Sequence, residues 1–376
     1  MATVADIAGV LEQWAPPASA QSYDNVGLQV GDPSTEVERA LVALDMTPGV
    51  LEEAEEKGAQ LILTHHPLLF HGQTRIAPDA HVPSLVYRLA RSGIACYAAH
   101  TNLDAARSGV SFALGRQLGI EEMEFLSPLE ENLYKLVTFV PPDHAEAVRA
   151  ALAGAGAGEI GEYDACAFEA EGTGYFRASE EADPYVGEAG GEVEAADERR
   201  LEAQVVEWKL GDAVTALKQA HPYEEVAYDI YPLEQSGSQT GMGVIGRLAE
   251  PEPLESFLDR VVEKTPAEHL RYVGDPDEPV ETIACCGGAG GDLLGDALGA
   301  GADVFVTADL SYHQFFTVLD PSGTPRMSLV DPGHYETEAV TEELMVNWLS
   351  DRFPGVDWVR TDRRTSPIRS HPARPH

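Results

Sequence analysis

Short apolar segments alternate with amphipathic segments in two separate stretches of the chain. In the first stretch ALVALD (40–45) is followed by PGVLEEAEEKG (48–58) and LILTHH (61–66). In the second, ETIACCGGAG, DLLGDALGAGA and DVFVTADL follow one another between residues 281 and 310. Strands joined by helices form parallel sheets with helices on both faces, and such strands are apolar because both of their faces are buried. The chain is therefore predicted to be an α/β protein with two related α/β halves.

The stretch between these halves, residues 129–233, follows a different order. Its segments predict strand, helix, strand, strand, helix and strand in turn, which is the order of ferredoxin-like domains. The predicted strands are 133–140, 166–176, 201–210 and 225–233, and the predicted helices are HAEAVRAALAGAGAG and DAVTALKQA. We expect a compact α+β insert in which residues 176–200, rich in Gly and carboxylates, form an exposed loop.

These patterns divide the chain into residues 1–128, the first half of the core, the insert at 129–233, and residues 234–359, the second half. Residues 360–376 carry five Arg and one Asp in a proline-rich context. Terminal segments are commonly poorly ordered unless contacts tie them down. We therefore expect a disordered tail after residue 359.

The chain is strongly acidic. Its 63 Asp and Glu against 25 Lys and Arg give a formal net charge of −38. Because such a surface repels phosphate, the composition argues against nucleic acid or an anionic membrane as a partner. The acidic residues are dispersed rather than gathered in one tail. One hypothesis is adaptation to a salty, halophile-like cytoplasm, where salt screens the repulsion between carboxylates.

No apolar run reaches the roughly 20 residues of a membrane span, and the first residues lack the basic start and cleavage pattern of a signal peptide. The four cysteines, Cys96, Cys166, Cys285 and Cys286, show no CxxC spacing. Neither a disulfide framework nor a zinc knuckle is therefore indicated. We expect a cytoplasmic protein with reduced, mostly buried cysteines.

Side chains that can bind metals follow the predicted strands. His65 and His66 end the segment 61–66, and Pro67 bars a regular continuation of the strand. Ligands bind beyond the carboxyl ends of strands in open α/β sheets, so two imidazoles at this point could face two different ions. Taken alone, however, a His-His pair is more often structural.

Two further pairs share the spacing i, i+4, which places both side chains on one face of a helix. The first pair is His100 and Asp104, where Asp104 is also suited to capping the following helix. The second is His334 and Glu338, where an acidic helix start is favourable through the helix dipole alone. The combination of all three elements favours a metal site. Mixed nitrogen and oxygen ligands suit Zn, Mn, Fe, Ni or Co, and a carboxylate can bridge two ions roughly 3.5–4 Å apart.

Seven segments, in the expected order, resemble the NGG-interacting-factor-three-like family, whose bacterial members are commonly labelled GTP cyclohydrolase I type 2 homologues or dinuclear metal-centre proteins. They are SYDNVGLQVGDP, LILTHHPLLFHG, AHTNLDAARSGVSFALGRQLG, GMGVIGRL, CCGGAGGDLL, DVFVTADLSYHQ and DPGHYETE. The resemblance implies two divalent metal ions per chain, with Glu338 as the bridge. The implied metal ligands are His65, His66, Asp104, His334 and Glu338.

The resemblance carries three further implications. The insert is similar to PII and CutA proteins, and the chains form a toroidal homohexamer. Asp24 and Asn25 are expected to fix a loop near the site. One departure from the family pattern is Ala308 before Asp309, where many relatives have Gly. The glycine cluster 287–291 is expected to form a tight turn into a helix rather than a phosphate loop.

Two divalent ions lower the pKa of a water between them and polarise the bond under attack, so we expect a metal-dependent hydrolase. His100 or His313 could transfer protons, since imidazole titrates near neutral pH. The family label implies opening of the purine ring of GTP, but the sequence has no GxxxxGKS phosphate loop and nothing in it selects guanine, so the small-molecule substrate is unknown. The alternative is a non-catalytic metal-binding or regulatory ring whose insert binds an effector or a partner.

Overall fold

The computed structural model describes residues 1–129, 131–161, 163–237 and 240–369. The chain divides into two units. The first unit consists of Met1–Pro128 and the described residues from Thr240 onward, and the second lies within Leu129–Gln239. Both units combine strands with helices, so the predicted mixture of α and β structure is confirmed.

The strands of the described residues are, in chain order, β1 (Gly27–Val30), β2 (Arg39–Ala43), β3 (Leu61–Thr64), β4 (Ala95–Ala98), β5 (Glu121–Pro128), β6 (Glu131–Val140), β7 (Ala167–Phe176), β8 (Glu194–Val206), β9 (Tyr228–Gly237), β10 (Gly241–Pro253), β11 (Arg271–Val273), β12 (Pro279–Cys285), β13 (Val304–Val306), β14 (Ser328–Asp331) and β15 (Asp357–Arg360).

The α-helices of the same residues are α1 (Val4–Trp14), α2 (Pro48–Lys57), α3 (His81–Ser92), α4 (Thr101–Ala105), α5 (Val110–Gln117), α6 (Ala145–Gly154), α7 (Glu207–Ala220), α8 (Leu254–Lys264), α9 (Leu294–Gly299), α10 (Gln314–Thr317), α11 (His334–Glu338) and α12 (Val340–Arg352). Within the described ranges, no helix combines the length and the apolar character needed to cross a membrane.

The first unit contains two sheets. The first sheet has the order β1-β4-β3-β2-β15, in which only β1 runs antiparallel to its neighbour. The second has the order β11-β14-β13-β12-β10-β5, with β12, β13 and β14 parallel to one another. The parallel strands β3, β4, β13 and β14 are buried along their length, which agrees with their mostly apolar sequences.

The two sequence halves complete each other's sheets. Strand β15, near the end of the chain, pairs with β2 of the first half, and β5 of the first half pairs with β10 of the second. Helix α12 of the second half packs Met345 and Leu349 into the core beneath the first sheet. Its Trp348 stacks on Trp14 of α1 with the ring centroids 4.5 Å apart. Each sheet, and the core beneath the first one, therefore contains residues of both halves.

Helix α2 connects the buried strands β2 and β3, and the sequence determines where the helix begins and ends. The Thr47 side chain caps the helix by accepting a hydrogen bond from the backbone N–H of Val50, and Pro48 occupies the first turn. Gly58 ends the helix in the left-handed conformation, with φ of 67°, which a residue without a side chain adopts at little cost. The chain then enters β3, at whose end the predicted metal-binding side chains begin.

Residues after β15 pack on the first unit instead of forming the expected disordered tail. Thr361 donates to Glu53 Oε2 over 2.5 Å, and the Thr365 hydroxyl donates to Asp45 Oδ2 over 2.5 Å. Both threonines are buried. Glu53 is buried and Asp45 is half-buried, and this segment supplies hydrogen-bond donors to both carboxylates. Residues 370–376 of the expected tail lie outside the described residues.

In the described part of the second unit, one antiparallel sheet has the order β7-β8-β6-β9, and the α-helices are α6 and α7. The element order of this part is strand, helix, strand, strand, helix, strand. Residues 207–210, predicted as strand, instead begin α7, and 194–200, predicted as loop, belong to β8. Strand β8 is long because it pairs with β6 on one side and with β7 on the other. The similarity of this unit to PII and CutA proteins stays a prediction.

Candidate metal centre

The predicted metal-binding side chains come together at the carboxyl ends of strands from both sheets of the first unit. His65 and His66 directly follow β3. Asp104 lies in α4, four residues after His100, which precedes that helix. His334 and Glu338 occupy α11, which follows β14 of the other sheet. Two separate sequence regions thus contribute to one cluster.

Glu338 lies at the centre of this cluster and faces both of its sides. Its Oε1 is 3.7 Å from Nε2 of His65, which in turn is 3.6 Å from Oδ1 of Asp104. Its Oε2 is 3.0 Å from Nε2 of His66 and 3.0 Å from Nε2 of His334. Two groups of possible metal ligands result, His65 with Asp104 and His66 with His334, and Glu338 belongs to both.

Two buried atoms of the first group have no hydrogen-bond partner among the described residues. They are Nε2 of His65 and Oδ1 of Asp104. A buried polar atom without a partner costs about 1–3 kcal/mol, so a missing partner is expected at such a place. A divalent cation would satisfy both atoms, because imidazole nitrogen and carboxylate oxygen are ligands for Zn, Mn, Fe, Ni and Co. The residues present therefore fit metal ions.

Hydrogen bonds made by the Nδ1 atoms of three histidines orient their Nε2 atoms toward the cluster. Nδ1 of His65 lies 2.8 Å from the carbonyl oxygen of Ala99, which can only accept, so Nδ1 donates and Nε2 is the nitrogen that faces the cluster. Nδ1 of His66 donates to Asp45 over 2.7 Å. Nδ1 of His334 donates to Asp309 over 2.8 Å. Partners of this kind orient metal-binding imidazoles and raise their basicity.

A fourth imidazole, that of His100, lies beside the first two. Its ring centroid is 5.2 Å from that of His65 and 5.4 Å from that of His66. Its Nδ1 donates to Asp24 over 2.9 Å, and the Thr101 hydroxyl donates to the other oxygen of the same carboxylate over 2.5 Å. His100, His65 and His66 also place ligand atoms close enough to share one ion.

Two aromatic side chains border this side of the cluster. The Phe70 ring lies 6.3 Å from the His100 ring and 6.3 Å from the Tyr23 ring. Tyr23 is 65% exposed and Phe70 is 40% exposed. Partial burial together with the nearby carboxylates Asp24 and Asp104 raises the pKa of Tyr23. We refer to Tyr23 and Phe70 as the aromatic rim.

The turn expected at the glycine cluster 287–291 lies directly against the central carboxylate. Gly288 has φ of 62°, and a Cβ added there would lie 2.1 Å from Oε1 of Glu338. The backbone N–H of Gly288 donates to the Thr337 hydroxyl over 3.0 Å. The glycine therefore serves close approach of the backbone to the centre, since any side chain at this position would displace Glu338.

Opposing effects set the protonation of the cluster. Burial raises the pKa of Asp104 to about 7, and the negative charge of Glu338 adds to that rise. Burial also disfavours the charged form of His66, but its hydrogen bonds with Asp45 and Glu338 outweigh burial and raise its pKa to about 10. Burial opposes ionisation of Glu338 as well, yet the surrounding imidazoles keep its pKa well below the ordinary value. In the absence of an ion, protons on His66 and Asp104 therefore offset the negative charge of the cluster.

The chain matches a known protein family over most of its length. The family model for Duf34/NIF3 (NGG1p interacting factor 3) matches residues 2–367. The chain belongs to this family. The resemblance expected from the seven sequence segments is thereby confirmed.

Other Duf34/NIF3 members align over nearly the whole chain. A protein of Bacillus subtilis (strain 168) named GTP cyclohydrolase 1 type 2 homolog is 39% identical over 364 residues, which are 96% of this chain and 96% of that protein. A protein of the same name from Mycobacterium tuberculosis (strain ATCC 25618 / H37Rv) is 40% identical over 339 residues, 89% of this chain and 88% of that protein. The crystal structure of a Bacillus cereus protein related to NIF3 superposes with a TM-score of 0.85 at 35% identity, covering 98% and 99% of the two chains.

Sequence reasoning on this Duf34/NIF3 chain missed the partners of the histidines. Asp45 follows β2 and Asp309 lies three residues beyond β13, and neither was predicted to contact the centre. A usable signal was present, since each is an acidic residue that comes shortly after an apolar strand. His65 occupies the same kind of position after β3. Asp309 also has φ of 54°, which is uncommon for a residue with a side chain and often marks a functional position.

The other residue predicted to transfer protons, His313, lies outside the cluster. It immediately precedes α10, and its ring lies 5.5 Å from that of Tyr312. Among the described residues, His313 belongs to none of the groups that could hold a metal ion. A role for His313 in proton transfer stays a prediction.

Proposed function

We propose that the chain is a dinuclear-metal-dependent hydrolase of a small molecule. The observation that carries the proposal is the position of Glu338, whose two carboxylate oxygens face two separate sets of possible ligands. One ion would be held by His65, Asp104 and Glu338, and the other by His66, His334 and Glu338. Two divalent ions in such a site lower the pKa of a water molecule and polarise the bond to be cleaved.

His100 is the residue proposed to move a proton. Its Nδ1 is committed to the buried carboxylate of Asp24, so its Nε2 is the nitrogen available to the substrate. The negative charge of Asp24 stabilises the imidazolium that forms when Nε2 accepts a proton. In the hydrolysis of a C–N bond, water adds its oxygen to carbon, and His100 passes the proton of that water to the leaving nitrogen.

The proposed substrate carries a planar heterocycle. The curated relatives bear the name GTP cyclohydrolase 1 type 2 homolog, which supports a purine nucleotide as the first compound to test. The aromatic rim supports the same class, because an exposed ring next to a polar centre offers a stacking surface for a planar ring. The acidic character of the chain opposes a triphosphate, and bound metal ions would offset that repulsion.

The test is turnover by the metal-loaded protein. The full chain is loaded in turn with Zn, Mn, Fe, Ni or Co, its metal content is measured, and it is incubated with GTP and a panel of nucleotides and phosphoesters. We expect product formation that is lost in His65→Ala and Glu338→Ala together with the metal. The matched controls His81→Ala and Glu343→Ala change exposed residues of the same types and should retain both. Tight metal binding without turnover of any compound would refute the hydrolase and favour a metal-binding or regulatory protein.

We also propose that six chains assemble as a toroidal ring, as the family resemblance implies. A ring would enclose the metal centres and restrict access to small molecules under either function. Light scattering coupled to size-exclusion chromatography should give a mass about six times that of one chain. A monomeric mass at micromolar concentration would contradict the proposal.

A further inference from the structure

The second unit contains a large cavity that is separate from the metal centre. Its volume is about 920 Å³, and all of its lining residues lie between Phe139 and Ala227. Pockets for small molecules commonly measure about 300–1,000 Å³, so the cavity is large enough for a drug-sized ligand. It lies where β7 ends and β8 begins, beneath residues 177–193, which we call the cavity loop.

The cavity loop is fastened at two points. The backbone N–H of Asp183 donates to Oε1 of Glu224 over 3.0 Å. The hydroxyl of Tyr185 lies 3.0 Å from Nε2 of His144, and the two rings meet edge to face at 5.5 Å. These contacts join the loop to two other parts of the unit, so the loop forms one wall of the cavity.

Aromatic rings form much of the lining. Tyr185 and Tyr223 lie with ring centroids 6.0 Å apart, and Tyr175, Phe176 and Phe139 also line the cavity. Tyr175 is 73% exposed and Tyr185 is 54% exposed. Several large rings directed at one open cavity leave apolar surface in water, which a bound apolar body would cover.

The charged groups of the lining are predominantly negative. The carboxylates are Glu171, Glu198, Glu224 and Glu225, and the guanidinium groups are Arg177 and Arg200. Nε of Arg200 is already 2.9 Å from Glu202, and Glu171 is 2.7 Å from Arg199. Carboxylates remain in excess when these two neighbours are included. Aromatic faces also attract cations through their quadrupoles, so both kinds of group favour the same sign of ligand charge.

We infer that this cavity binds a small organic cation with a flat or bulky apolar body. The apolar body would lie against Tyr175, Tyr185 and Tyr223, and the positive charge would be placed near the carboxylates at the edge of the cavity. Inorganic cations would not use the aromatic surface, and organic anions would meet the excess of carboxylates. The inference does not depend on the proposed hydrolase, because none of the lining residues belongs to the metal centre.

The test compares two probes of the same shape and opposite charge. Tetraphenylphosphonium and tetraphenylborate are titrated into the full, metal-loaded chain, and binding is followed by calorimetry. We expect the phosphonium to bind at least about tenfold more tightly than the borate, which corresponds to about 1.4 kcal/mol. The difference should shrink at high salt, because the charge contribution is screened.

Substitutions in the lining test whether the phosphonium binds in this cavity. Tyr175→Ala removes an exposed ring of the cavity and should weaken phosphonium binding about tenfold. Glu225→Gln should weaken it about threefold and leave the affinity for the borate unchanged or higher. The matched controls are Phe168→Ala, an exposed ring elsewhere on β7, and Glu146→Gln, an exposed acid of α6. Equal binding of the two probes, no binding of the phosphonium, or equal losses in the control variants would each overturn the inference.

Discussion

At the scale of single residues, the centre depends on groups that never face its interior. Each imidazole in it donates its Nδ1 proton to an oxygen outside the cluster, and for His66 and His334 that oxygen belongs to a carboxylate. A ring held in this way loses little rotational freedom when its Nε2 binds an ion. The partners should therefore influence metal affinity although they touch no metal.

Asp309 offers the clearest test, because its side chain is 57% exposed and contributes little to the core. Asp309→Gly removes the carboxylate and also suits φ of 54°, whereas Asp309→Asn keeps an acceptor for Nδ1 of His334. We expect Asp309→Gly to weaken metal binding about 10- to 100-fold and Asp309→Asn to retain most of the affinity. Competition with a chromophoric chelator measures both. Equal affinities for Asp309→Gly and the wild type would show that His334 needs no such partner.

Gly288 offers a second test at this scale. In Gly288→Ala the added methyl would lie 2.1 Å from Oε1 of Glu338, so the central carboxylate must move. We expect metal content to fall about tenfold or more at fixed ion concentration, with a further destabilisation of about 1 kcal/mol from the left-handed backbone. Gly295→Ala is the matched control, because a Cβ there meets no atom within 4 Å. Normal metal content in Gly288→Ala would contradict the role assigned to this glycine.

The ligand residues could be predicted from the sequence because each follows an apolar strand or opens a helix. Their outer partners could not, because the contact between His66 and Asp45 joins two neighbouring strands whose side-by-side order no spacing reveals. Likewise, His334 meets Asp309 only when β13 and β14 lie next to each other. Residue types and spacing thus predict the chemistry of the site, whereas strand order decides which groups support it.

At the scale of elements, the alternation of apolar and amphipathic segments predicts the parallel strands correctly. It fails where tertiary pairing decides the outcome. Strand β15 joins the sheet of the opposite half, and β8 begins earlier than its composition indicates because two strands pair with it. The segment after β15 is polar and rich in Arg, yet it is ordered by carboxylates that are distant in sequence.

Glu53 of α2 is the main anchor of that segment. It accepts hydrogen bonds from the Thr361 hydroxyl, the backbone N–H of Asp362 and the ammonium group of Lys57. Glu53→Ala should lower the free energy of unfolding by about 1–3 kcal/mol, because buried donors lose their acceptor. Glu56→Ala, an exposed site on the same helix, should change it by less than about 0.5 kcal/mol. Urea denaturation measures both free energies of unfolding. Equal effects of the two substitutions would contradict the role of Glu53 as the anchor of this segment.

The same carboxylate predicts a pH dependence. Burial opposes its ionisation, but the hydrogen bonds from Lys57 and Thr361 outweigh burial and lower the pKa of Glu53. A carboxyl with a lower pKa in the folded state stabilises the fold above its ordinary pKa, near 4.3, and this contribution is lost as the pH falls through the folded-state value. The stability difference between the wild type and Glu53→Gln should therefore shrink below about pH 4. A difference that stays constant down to pH 3 would contradict this account.

At the scale of the whole molecule, the formal charge of −38 acts in two ways. Asp104 and Glu338 are buried and converge on the candidate metal centre, where cations would neutralise them. Most of the other carboxylates are dispersed over the surface and repel one another through solvent. Self-repulsion of this kind destabilises a folded state and is weakened by salt.

The charge therefore predicts that the fold gains stability with salt. Circular dichroism should show a higher free energy of unfolding as KCl rises from dilute buffer, with most of the gain complete near 1 M, where the screening length is only about 3 Å. The metal-loaded protein should be used, so that neutralisation of the buried carboxylates does not contribute to the effect. An equal gain in sulfate and chloride at matched ionic strength would identify screening, whereas a gain confined to sulfate would indicate strengthened apolar burial. Full stability in dilute buffer, unchanged up to molar KCl, would refute salt adaptation as the reason for the acidic composition.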